Sequence, residues 1–390
     1  MINNILYYIR QIFIGSILLF TSTYSFAQYD SIFHDNNYRT FLVHKPPASP
    51  LIDTFPLVIA MHGGLGTAYN MEEMSMLSEK ADEANFIVVY PEGTKGGFLN
   101  RRTWNAGWCC GDASSSNADD VGFINALIDT IISQYTIDTG RIYATGMSNG
   151  GFMSFRLACE LSHRIAAIAP VSASMSMIEC EPIRAVPIIN FHSYLDTNVP
   201  YLGGVGSGFS NHHNSPQDSV MNAWANMDTC SIFNDTILHN EQFTNIQWNT
   251  CSCETEIQYY ITQDGGHSWP GGVQTITGDP PSEFLNANDL MWSFFQQYSL
   301  DCGTVSAMKE NGDKNNNFLL YPNPTKGVVY IDYKERNNDI RISVYNHFGR
   351  IIIKSKNVDA INLINQPSGI YYIKIQTKHK ILTKKIIKTY

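Results

Sequence analysis

A serine with a glycine two residues away on either side stands in the stretch RIYATGMSNGGFMSF, residues 141–155. Apolar residues typical of a strand precede this Gly146-x-Ser148-x-Gly150 pattern, and residues that favour a helix follow it. At such a sharp strand-to-helix turn the serine hydroxyl projects from the sheet edge, where it can attack a carbonyl carbon. We therefore predict that Ser148 is a nucleophile and that the Asn149 backbone N–H stabilises the resulting oxyanion. The alternative is that Ser148 is an ordinary turn residue.

A serine nucleophile of this kind requires a histidine base, and its partners follow in the chain order serine, acid, histidine. Within residues 149–300 the candidate bases are His163, His192, His212, His213, His239 and His267. His267 lies in the glycine-rich stretch DGGHSWPGG directly after an apolar strand, whereas His192 lies inside an apolar strand and is more typical of a core. Because loops at strand ends carry the functional side chains of open α/β sheets, we predict that His267 is the base.

The acid that orients the histidine is expected between the two residues, again at a strand end. Asp196 follows the apolar run VPIINFHS, whereas Asp218 and Asp228 fall in a predicted helix. Asp264, just before the glycine-rich loop, is the alternative acid. We predict Asp196, and the resulting serine, histidine and aspartate require no cofactor and no metal ion.

A second oxyanion donor is expected from the loop after an earlier strand. The stretch MHGGLGTAYNM, residues 61–71, follows an apolar run, and its glycines allow backbone N–H groups to face a site. We predict that Gly64 or Leu65 supplies this donor. The alternative is that the glycines form a plain turn at the end of the strand.

Strands and helices alternate along residues 28–300. These elements must position the turn at Ser148 and the loops that carry Asp196, His267 and residues 61–71. Strands such as PLVIAMHGG (56–64) and FIVVYPEG (86–93) are almost continuously apolar, and ADDVGFINALIDTIISQY (118–135) has the apolar content of a long helix with an acidic start. Apolar strands that alternate with helices indicate an α/β fold, with a mostly parallel sheet covered by helices on both faces.

The ends of the chain differ from this central part. Arg10 followed by IFIGSILLF and a polar stretch predicts a signal peptide over residues 1–27, with a membrane anchor as the alternative. No later stretch reaches the roughly 18 apolar residues of a membrane helix, so we expect no membrane span in the mature protein. Residues 301–317 are polar and predict a linker between a domain at 28–300 and a second domain at 318–390.

Charge also divides the chain. Up to Cys302 there are 11 Lys and Arg against 29 Asp and Glu, whereas from Gly303 onward there are 15 against 6. The acidic part would repel phosphates, so we expect no nucleic acid partner. The asymmetry predicts two units with different roles.

The C-terminal domain shows short alternating runs separated by turn residues, which predicts a small β-sandwich. Its blocks YPNPTKG (321–327), VYNHFGR (344–350) and PSGIYYIKI (367–375) resemble the C-terminal sorting domain of the type IX secretion system. The resemblance implies that type IX machinery is a partner and that the protein is exported through the periplasm to the cell surface or the medium. The alternative is a carbohydrate-binding β-module with exposed aromatic residues: Tyr330, Tyr333, Tyr371 and Tyr372.

The central domain is similar to extracellular polyhydroxybutyrate depolymerases and feruloyl esterases, a family of α/β-hydrolases. The motifs that carry the similarity are HGGLGTAYNM (62–71), YPEG (90–93), WNAGWCCG (104–111), DDVGF (119–123), GMSNGG (146–151), RLACELS (156–162), DTNVPY (196–201) and GGHSWPG (265–271). This resemblance implies carboxylic ester hydrolysis by Ser148, Asp196 and His267. Gly64 replaces a cysteine that is frequent in the family, which leaves the choice between polyester and feruloyl ester open.

Eight cysteines lie between Cys109 and Cys302, and an exported protein is expected to form disulfides. Neither the CC at 109–110 nor the CSC at 251–253 has the C-x-x-C spacing of a zinc site. The family resemblance implies the pair Cys159–Cys180, and we expect a second pair, Cys230–Cys251. The partners of the remaining cysteines stay open: Cys109, Cys110, Cys253 and Cys302.

Three tryptophans are candidate substrate contacts. Trp269 lies two residues after the predicted base, and Trp104 and Trp108 flank the cysteine-bearing loop, although Trp104 is equally typical of a core residue. Aromatic contacts would suit a hydroxycinnamoyl group, so we predict a secreted serine esterase that acts on feruloyl esters of plant cell-wall polysaccharide. The alternatives are a polyhydroxybutyrate (polyester) depolymerase, an acetyl xylan esterase, a serine peptidase of the same fold, and a non-catalytic surface adhesin.

Overall fold

The structure is a computed structural model that describes residues 28–47, 54–97, 101–177, 179–208, 211–230, 235–276, 278–301, 318–321, 325–333, 340–346, 351–377 and 381–389. The chain divides into two compact units, Met1–Ala307 and Met308–Tyr390. The predicted signal peptide at 1–27 and all but the first residue of the predicted linker lie outside the described residues. None of the described helices is long and apolar enough to span a membrane.

The first unit is built on a ten-stranded sheet. Its strands are β1 (Gln28–His34), β2 (Asn37–His44), β3 (Phe55–Met61), β4 (Ile87–Pro91), β7 (Ile137–Met147), β8 (Ala167–Val171), β9 (Ile188–Ser193), β12 (Asp235–His239), β13 (Phe243–Trp248) and β14 (Ile257–Thr262). The spatial order is β1-β2-β4-β3-β7-β8-β9-β14-β13-β12. Strands from β4 to β14 in this order pair in parallel, and the strands at both edges pair antiparallel. Two short antiparallel pairs lie outside this sheet: β5 (Thr94–Gly96) with β6 (Arg101–Thr103), and β10 (Gly204–Val205) with β11 (His213–Asn214).

Helices cover both faces of this sheet. They are α1 (Ala68–Ser75), α2 (Leu77–Ala84), α3 (Gly111–Ser115), α4 (Asp120–Gln134), α5 (Asn149–Glu160), α6 (Gln217–Met227) and α7 (Ala287–Phe295), with a 3₁₀ turn at Ser252–Glu254. Side chains of α4, α5 and α6 belong to one buried apolar cluster, and those of α1, α2 and α7 belong to another.

Strand β3 shows why the central strands are apolar at every position. All seven of its residues are buried. Leu57 and Ile59 pack into the first cluster, whereas Val58 and Ala60 pack into the second. Successive side chains of a strand point to opposite faces, so a strand covered on both faces needs apolar residues throughout. The predicted α/β fold with a mostly parallel, doubly covered sheet is confirmed.

The parallel pairing places the carboxyl ends of β3, β7, β9 and β14 along one edge of the sheet. Each of these strands is followed by one of the four loops that the sequence analysis identified. The fold therefore provides a common edge for the predicted functional loops, as is usual in open α/β sheets.

The second unit consists of antiparallel strands. They are β15 (Phe318–Tyr321), β16 (Val328–Tyr333), β17 (Arg341–Asn346), β18 (Ile351–Lys356), β19 (Ala360–Asn362), β20 (Gly369–Gln376) and β21 (Ile381–Lys388). One sheet has the order β15-β16-β19 and the other has the order β18-β17-β20-β21. Alternate residues such as Val329, Ile331, Ile342, Val344 and Ile373 form a shared apolar core. Two small antiparallel sheets over one core agree with the alternation of apolar and polar residues in the sequence.

Candidate active site

Ser148 occupies the turn between β7 and α5 with φ 54° and ψ −124°, a strained conformation for a residue with a side chain. The two flanking glycines allow this turn because neighbouring backbone segments lie too close to them for any side chain to fit. A Cβ on Gly146 would lie 2.6 Å from the backbone of Gly150, and a Cβ on Gly150 would lie 2.1 Å from the Met61 carbonyl oxygen. Glycine is therefore required at both positions because β3 and α5 approach each other directly at the serine.

Asp196 and His267 form a hydrogen-bonded pair at the ends of β9 and β14. The His267 Nδ1 atom lies 2.8 Å from Asp196 Oδ2 and 3.0 Å from Oδ1. The backbone N–H groups of Asn198 and Val199 donate to Asp196 Oδ1 at 2.9 and 2.8 Å. A carboxylate that accepts this many hydrogen bonds holds the imidazole in one orientation.

The pKa of Asp196 lies below its usual value although the residue is buried. Burial raises this pKa, but the charge and hydrogen bond of His267, the nearby His192 and the Val199 N–H together outweigh it. The carboxylate therefore stays ionised at neutral pH, as a group that stabilises an imidazolium must.

Ser148 and His267 both line a cavity of about 970 Å³. Its lining also includes Gly64 and Asn149, and Asp196 lies behind His267 with its side chain buried. The backbone N–H of His267 donates to Asp279 Oδ2 at 2.7 Å, which fixes the loop that presents the imidazole. The three residues predicted to act together are thus contributed by three strand ends around one opening.

Of the two residues predicted to supply the second oxyanion donor, Gly64 and Leu65, one uses its N–H elsewhere. The Leu65 N–H donates to the Arg102 carbonyl at 2.7 Å, so the prediction that Leu65 is an oxyanion donor is wrong for this conformation. The Gly63 carbonyl accepts hydrogen bonds from His62 Nδ1 at 2.7 Å and from the Gly66 N–H at 3.0 Å. In a trans peptide the next N–H points the opposite way, so the Gly64 N–H is turned away from these partners. No acceptor for it lies among the described residues.

His62 controls the orientation of this peptide, a role that the sequence analysis missed. Its side chain is buried, and its Nε2 accepts a hydrogen bond from the Gly93 N–H at 3.0 Å. Burial lowers the pKa of His62 to about 4, so the ring is neutral at pH 7. With Nε2 an acceptor, Nδ1 carries the hydrogen and donates to the Gly63 carbonyl. A histidine directly before two glycines at a strand end was the only signal for this role.

The side chain of Asn149 explains why an asparagine follows the serine. Its Oδ1 accepts from the Trp104 N–H at 2.7 Å, and its Nδ2 donates to the Trp104 carbonyl at 3.0 Å. The Trp104 indole N–H donates in turn to the His62 carbonyl at 3.0 Å. One buried chain of hydrogen bonds therefore joins the turn at Ser148, the loop at 104–110 and the loop at His62. The backbone N–H of Asn149 begins α5, where no acceptor within the helix is available.

Two of the three tryptophans predicted to contact substrate are core residues. The side chains of Trp104 and Trp269 are 0% and 1% exposed. The Trp269 indole N–H donates to Asn288 Oδ1 at 3.0 Å, and its ring packs with α1 and α7. The prediction of substrate contact is therefore wrong for Trp104 and Trp269, because neither ring reaches the cavity. Trp108 is 66% exposed and does not line the cavity in this conformation.

The alternative base and acid have other partners. His192 is buried in β9 and lies 2.8 Å from the Val199 carbonyl, as expected of a core histidine. Asp264 accepts hydrogen bonds from the Ser282 hydroxyl at 2.5 Å and from the Glu283 N–H at 2.9 Å. Asp264 thus holds a loop segment together, and Asp196 rather than Asp264 contacts His267.

The cysteines form both expected pairs and one unexpected pair. Cys159–Cys180 and Cys230–Cys251 are disulfides, each with a sequence separation of 21. Cys109 and Cys110, whose partners the sequence left open, are joined to each other. Cys253 is also disulfide-bonded, and Cys302 lies outside the described residues. Within the described part of the chain, no group of three or more His, Cys, Asp and Glu side chains could hold a metal ion.

Two family models match the chain. Residues 39–196 match the family described as esterase PHB depolymerase. Residues 319–389 match the family described as secretion system C-terminal sorting domain. The first match includes Ser148 and ends at Asp196, and the second covers nearly the whole C-terminal unit.

Curated relatives are esterases. The chain is 31% identical over 252 residues to Feruloyl esterase B of Piromyces equi, covering 63% of this chain and 42% of the relative. It is 25% identical over 272 residues to a bifunctional acetylxylan esterase/xylanase of Neocallimastix patriciarum, covering 69% of this chain and 35% of the relative. The chain thus spans less than half of the length of these two relatives.

Among solved structures, the acetyl xylan esterase from Aspergillus awamori aligns with 69% of this chain and 98% of its own, with a TM-score of 0.48 and 14% identity. The predicted resemblances are confirmed at the level of families by the two domain matches. Residues 39–196 are thus similar to the esterase PHB depolymerase family, and the later residues 319–389 are similar to the C-terminal sorting domain of a secretion system.

Proposed function

We propose that the protein hydrolyses carboxylic esters, with Ser148 as nucleophile, His267 as general base and acid, and Asp196 as the group that orients the imidazole. One observation carries the proposal. The Asp196–His267 pair, joined at 2.8 Å, opens onto the cavity that Ser148 lines from a strained strand-to-helix turn. This combination supports acyl transfer by a serine, because an acid-held imidazole and a serine at a strained turn line the same cavity.

The first half of the reaction forms an acyl-enzyme. The Ser148 oxygen attacks the ester carbonyl carbon while the His267 imidazole accepts the hydroxyl proton. The carbonyl π electrons move onto oxygen, and the backbone N–H groups of Gly64 and Asn149 stabilise this oxyanion. Loss of one such donor typically lowers kcat by about 10²–10³. When the C–O bond to the leaving group breaks, His267 returns the proton to the departing alcohol.

The second half of the reaction releases the acid. Water attacks the acyl-enzyme carbonyl while His267 accepts its proton, and a second oxyanion forms in the same place. Breakdown of this intermediate returns the proton to the Ser148 oxygen and frees the carboxylic acid. Asp196 stays ionised throughout and stabilises the imidazolium in both halves.

For the substrate we propose feruloyl and related hydroxycinnamoyl esters of plant cell-wall polysaccharide. The support is the relatives whose names are feruloyl esterase, together with a cavity of about 970 Å³, at the upper end of the range for small-molecule sites. Acetylated xylan is the second candidate, because another relative is named an acetylxylan esterase. A polyester is the third, from the family description. The buried Trp104 and Trp269 supply no argument for an aromatic acyl group.

Parallel hydrolysis of methyl ferulate, acetylated xylan and a polyhydroxybutyrate film would rank these substrates. We expect the highest kcat/KM on methyl ferulate, and Ser148→Ala is expected to abolish hydrolysis of all three with unchanged thermal melting. Wild-type protein that melts normally but hydrolyses none of the three would contradict the esterase proposal and favour a non-catalytic adhesin.

The sorting domain makes this an extracellular or cell-surface protein. We propose that residues 28–300 form the catalytic domain and that residues 318–390 direct export by type IX machinery, preceded by a signal peptide at 1–27. Deletion of residues 303–390 should leave the activity of purified protein unchanged and trap the protein inside the native cell. Secretion of the truncated protein would refute the sorting role. The carbohydrate-binding alternative is weakened because Tyr371 is 4% exposed, whereas Tyr330 and Tyr372 remain exposed.

A further inference from the structure

The disulfide between Cys109 and Cys110 lies at the cavity that the proposed function uses. Both cysteines line this cavity together with Ser148, Asn149 and His267. Their side chains are only 2% and 6% exposed, so they form part of the interior surface of the cavity rather than of the outer surface of the protein. The proposed catalytic steps do not use this pair, and the family resemblance, whose WNAGWCCG motif contains both cysteines, assigned them neither a partner nor a role.

A disulfide between neighbouring residues is a poor stabiliser of a fold. In the chain-entropy account, a disulfide stabilises by closing a loop in the unfolded chain, and the effect grows with the loop length. Cys159–Cys180 and Cys230–Cys251 each close a loop with a sequence separation of 21, whereas Cys109–Cys110 has a separation of 1. The neighbouring pair therefore requires an explanation other than global stability.

The loop that carries the pair is also held without it. Asp120 accepts a hydrogen bond from the Asn105 N–H at 2.7 Å, and Arg156 donates to the Asn105 carbonyl at 2.6 Å. Ser176 donates from its hydroxyl to the Ala106 carbonyl at 2.6 Å. Further bonds join Gly107 to Ser114 and Trp108 to Ser176. Hydrogen bonds at four successive residues fix the backbone, so the disulfide is not needed to connect the loop to the protein.

The pair lies next to a group that the proposed reaction uses. The Asn149 Nδ2 atom lies 4.0 Å from Cys109 Sγ, and the Asn149 backbone N–H is one of the proposed oxyanion donors. The Cys110 N–H and Asn149 Nδ2 both donate to the Trp104 carbonyl, each at 3.0 Å. A substrate group that flanks the scissile carbonyl in this cavity would therefore lie near Cys109 and Cys110.

We propose that the Cys109–Cys110 disulfide is a specificity-determining contact for the larger group that flanks the scissile carbonyl, an inference that rests on the proposed ester hydrolysis. A disulfide has no strong hydrogen-bond donor and presents two polarizable sulfurs, which interact favourably with aromatic and apolar groups. Joining two adjacent cysteines gives a compact apolar surface where two free thiols would expose S–H groups. The disulfide favours a bulky apolar or aromatic group over a methyl group at this position.

The test compares two double variants. C109A/C110A removes the disulfide at the cavity, and the matched control C159A/C180A removes a disulfide away from the cavity. Both are assayed with wild type on methyl ferulate, methyl acetate and 2-naphthyl acetate, so that the acyl group and the leaving group are enlarged separately. We expect C109A/C110A to lower kcat/KM for one enlarged substrate by about two- to tenfold relative to methyl acetate, as a sulfur contact of this kind implies. The control should melt at a lower temperature and keep the substrate ratios of wild type.

A second double variant, C109S/C110S, keeps the side-chain size and places hydroxyl groups in the cavity, and it should lose at least as much of the preference as C109A/C110A. Equal losses on all three substrates would overturn the inference, because the pair would then only support Asn149. Unchanged ratios in either folded variant would also overturn it. Wild type that hydrolyses none of the three esters would instead contradict the proposed function itself.

Discussion

On one side of the cavity an ionised carboxylate holds His267, whereas on the other side neutral hydrogen bonds hold the Gly64 and Asn149 amides. The first side consists of the Asp196–His267 pair, with a carboxylate whose pKa is lowered despite burial. The second side consists of His62, whose pKa is lowered to about 4, and the Trp104–Asn149 pair. In the proposed reaction, charge suits the side that stabilises an imidazolium, and fixed neutral dipoles suit the side that receives an oxyanion.

The largest expected effect comes from removing the charge on the first side. Asp196→Asn should lower kcat by about 10⁴, because the imidazole loses its orienting charge and its correct tautomer. Asp264→Asn is the matched control, since this carboxylate bonds Ser282 and Glu283 rather than His267. Steady-state kinetics with methyl ferulate would measure both. If Asp264→Asn lowered kcat as much as Asp196→Asn, the assignment of Asp196 as the carboxylate that orients His267 would be wrong.

Removing the hydrogen bonds of His62 should have the next largest effect. His62→Phe keeps an aromatic ring beside Trp104 but removes the bond to the Gly63 carbonyl, so the Gly64 N–H loses its fixed direction. We expect kcat to fall by about 10²–10³, the usual consequence of losing one oxyanion donor. The preference for an ester over the corresponding thionoester should fall as well, because that preference depends on the oxyanion donors.

The matched control is His44→Phe, which removes another buried histidine that bonds Asp82 at 2.7 Å and does not line the cavity.

Thermal melting against pH provides a second readout for His62. Its folded-state pKa of about 4 is below the unfolded value, so the unfolded state binds more protons between these values. The contribution of neutral His62 to the free energy of unfolding should therefore be fully present above about pH 6.5. It should be lost as the pH drops towards 4. A His62→Phe variant with unchanged kcat and an unchanged melting profile would rule out this role.

Asn149→Ala should mainly reduce stability. The Trp104 N–H loses its buried acceptor, which costs about 1–3 kcal/mol, whereas the Trp104 carbonyl keeps the Cys110 N–H as a donor at 3.0 Å. A drop of several degrees in the melting temperature is expected, with a smaller loss of kcat than in His62→Phe. A melting temperature of Asn149→Ala equal to that of wild type would refute the paired arrangement.

The difference between the two sides also explains what the sequence could predict. Ser148, Asp196 and His267 each follow an apolar strand, and the parallel sheet brings such strand ends together, so local pattern was enough to place them at one cavity. The roles of His62 and Asn149 depend on contacts with Gly93 and Trp104, which are 31 and 45 residues away along the chain. No local pattern carries that information.

The wrong predictions have the same physical origin. The sequence offers no reason to choose between Gly64 and Leu65 as the oxyanion donor. The choice depends on the Arg102 carbonyl, on another strand, which accepts the Leu65 N–H. Trp269 is near His267 in sequence, but its ring turns away into the core and bonds Asn288. The pairing of Cys109 with Cys110 was left open rather than predicted, because disulfides between neighbours are of little value to stability.

The smallest expected effect is that of Trp108→Ala. This side chain is largely exposed and does not line the cavity, so the free energy of unfolding should change by no more than about 0.5 kcal/mol. We expect less than about a twofold change in kcat/KM for methyl ferulate, since no cavity contact is lost. A tenfold loss confined to methyl ferulate would show that Trp108 contacts the substrate and that the cavity side nearest Cys109 extends further than described.

Covalent labelling tests directly whether Ser148 is the nucleophile. Wild-type protein is treated with a fluorophosphonate probe, digested with trypsin and analysed by mass spectrometry, with residual activity on methyl ferulate measured in parallel. We expect one label per chain on Ser148, in the tryptic peptide of residues 142–156, with activity lost in proportion to labelling and with little labelling of Asp196→Asn. Label on a different residue, or full esterase activity in protein that remains unlabelled, would contradict this assignment.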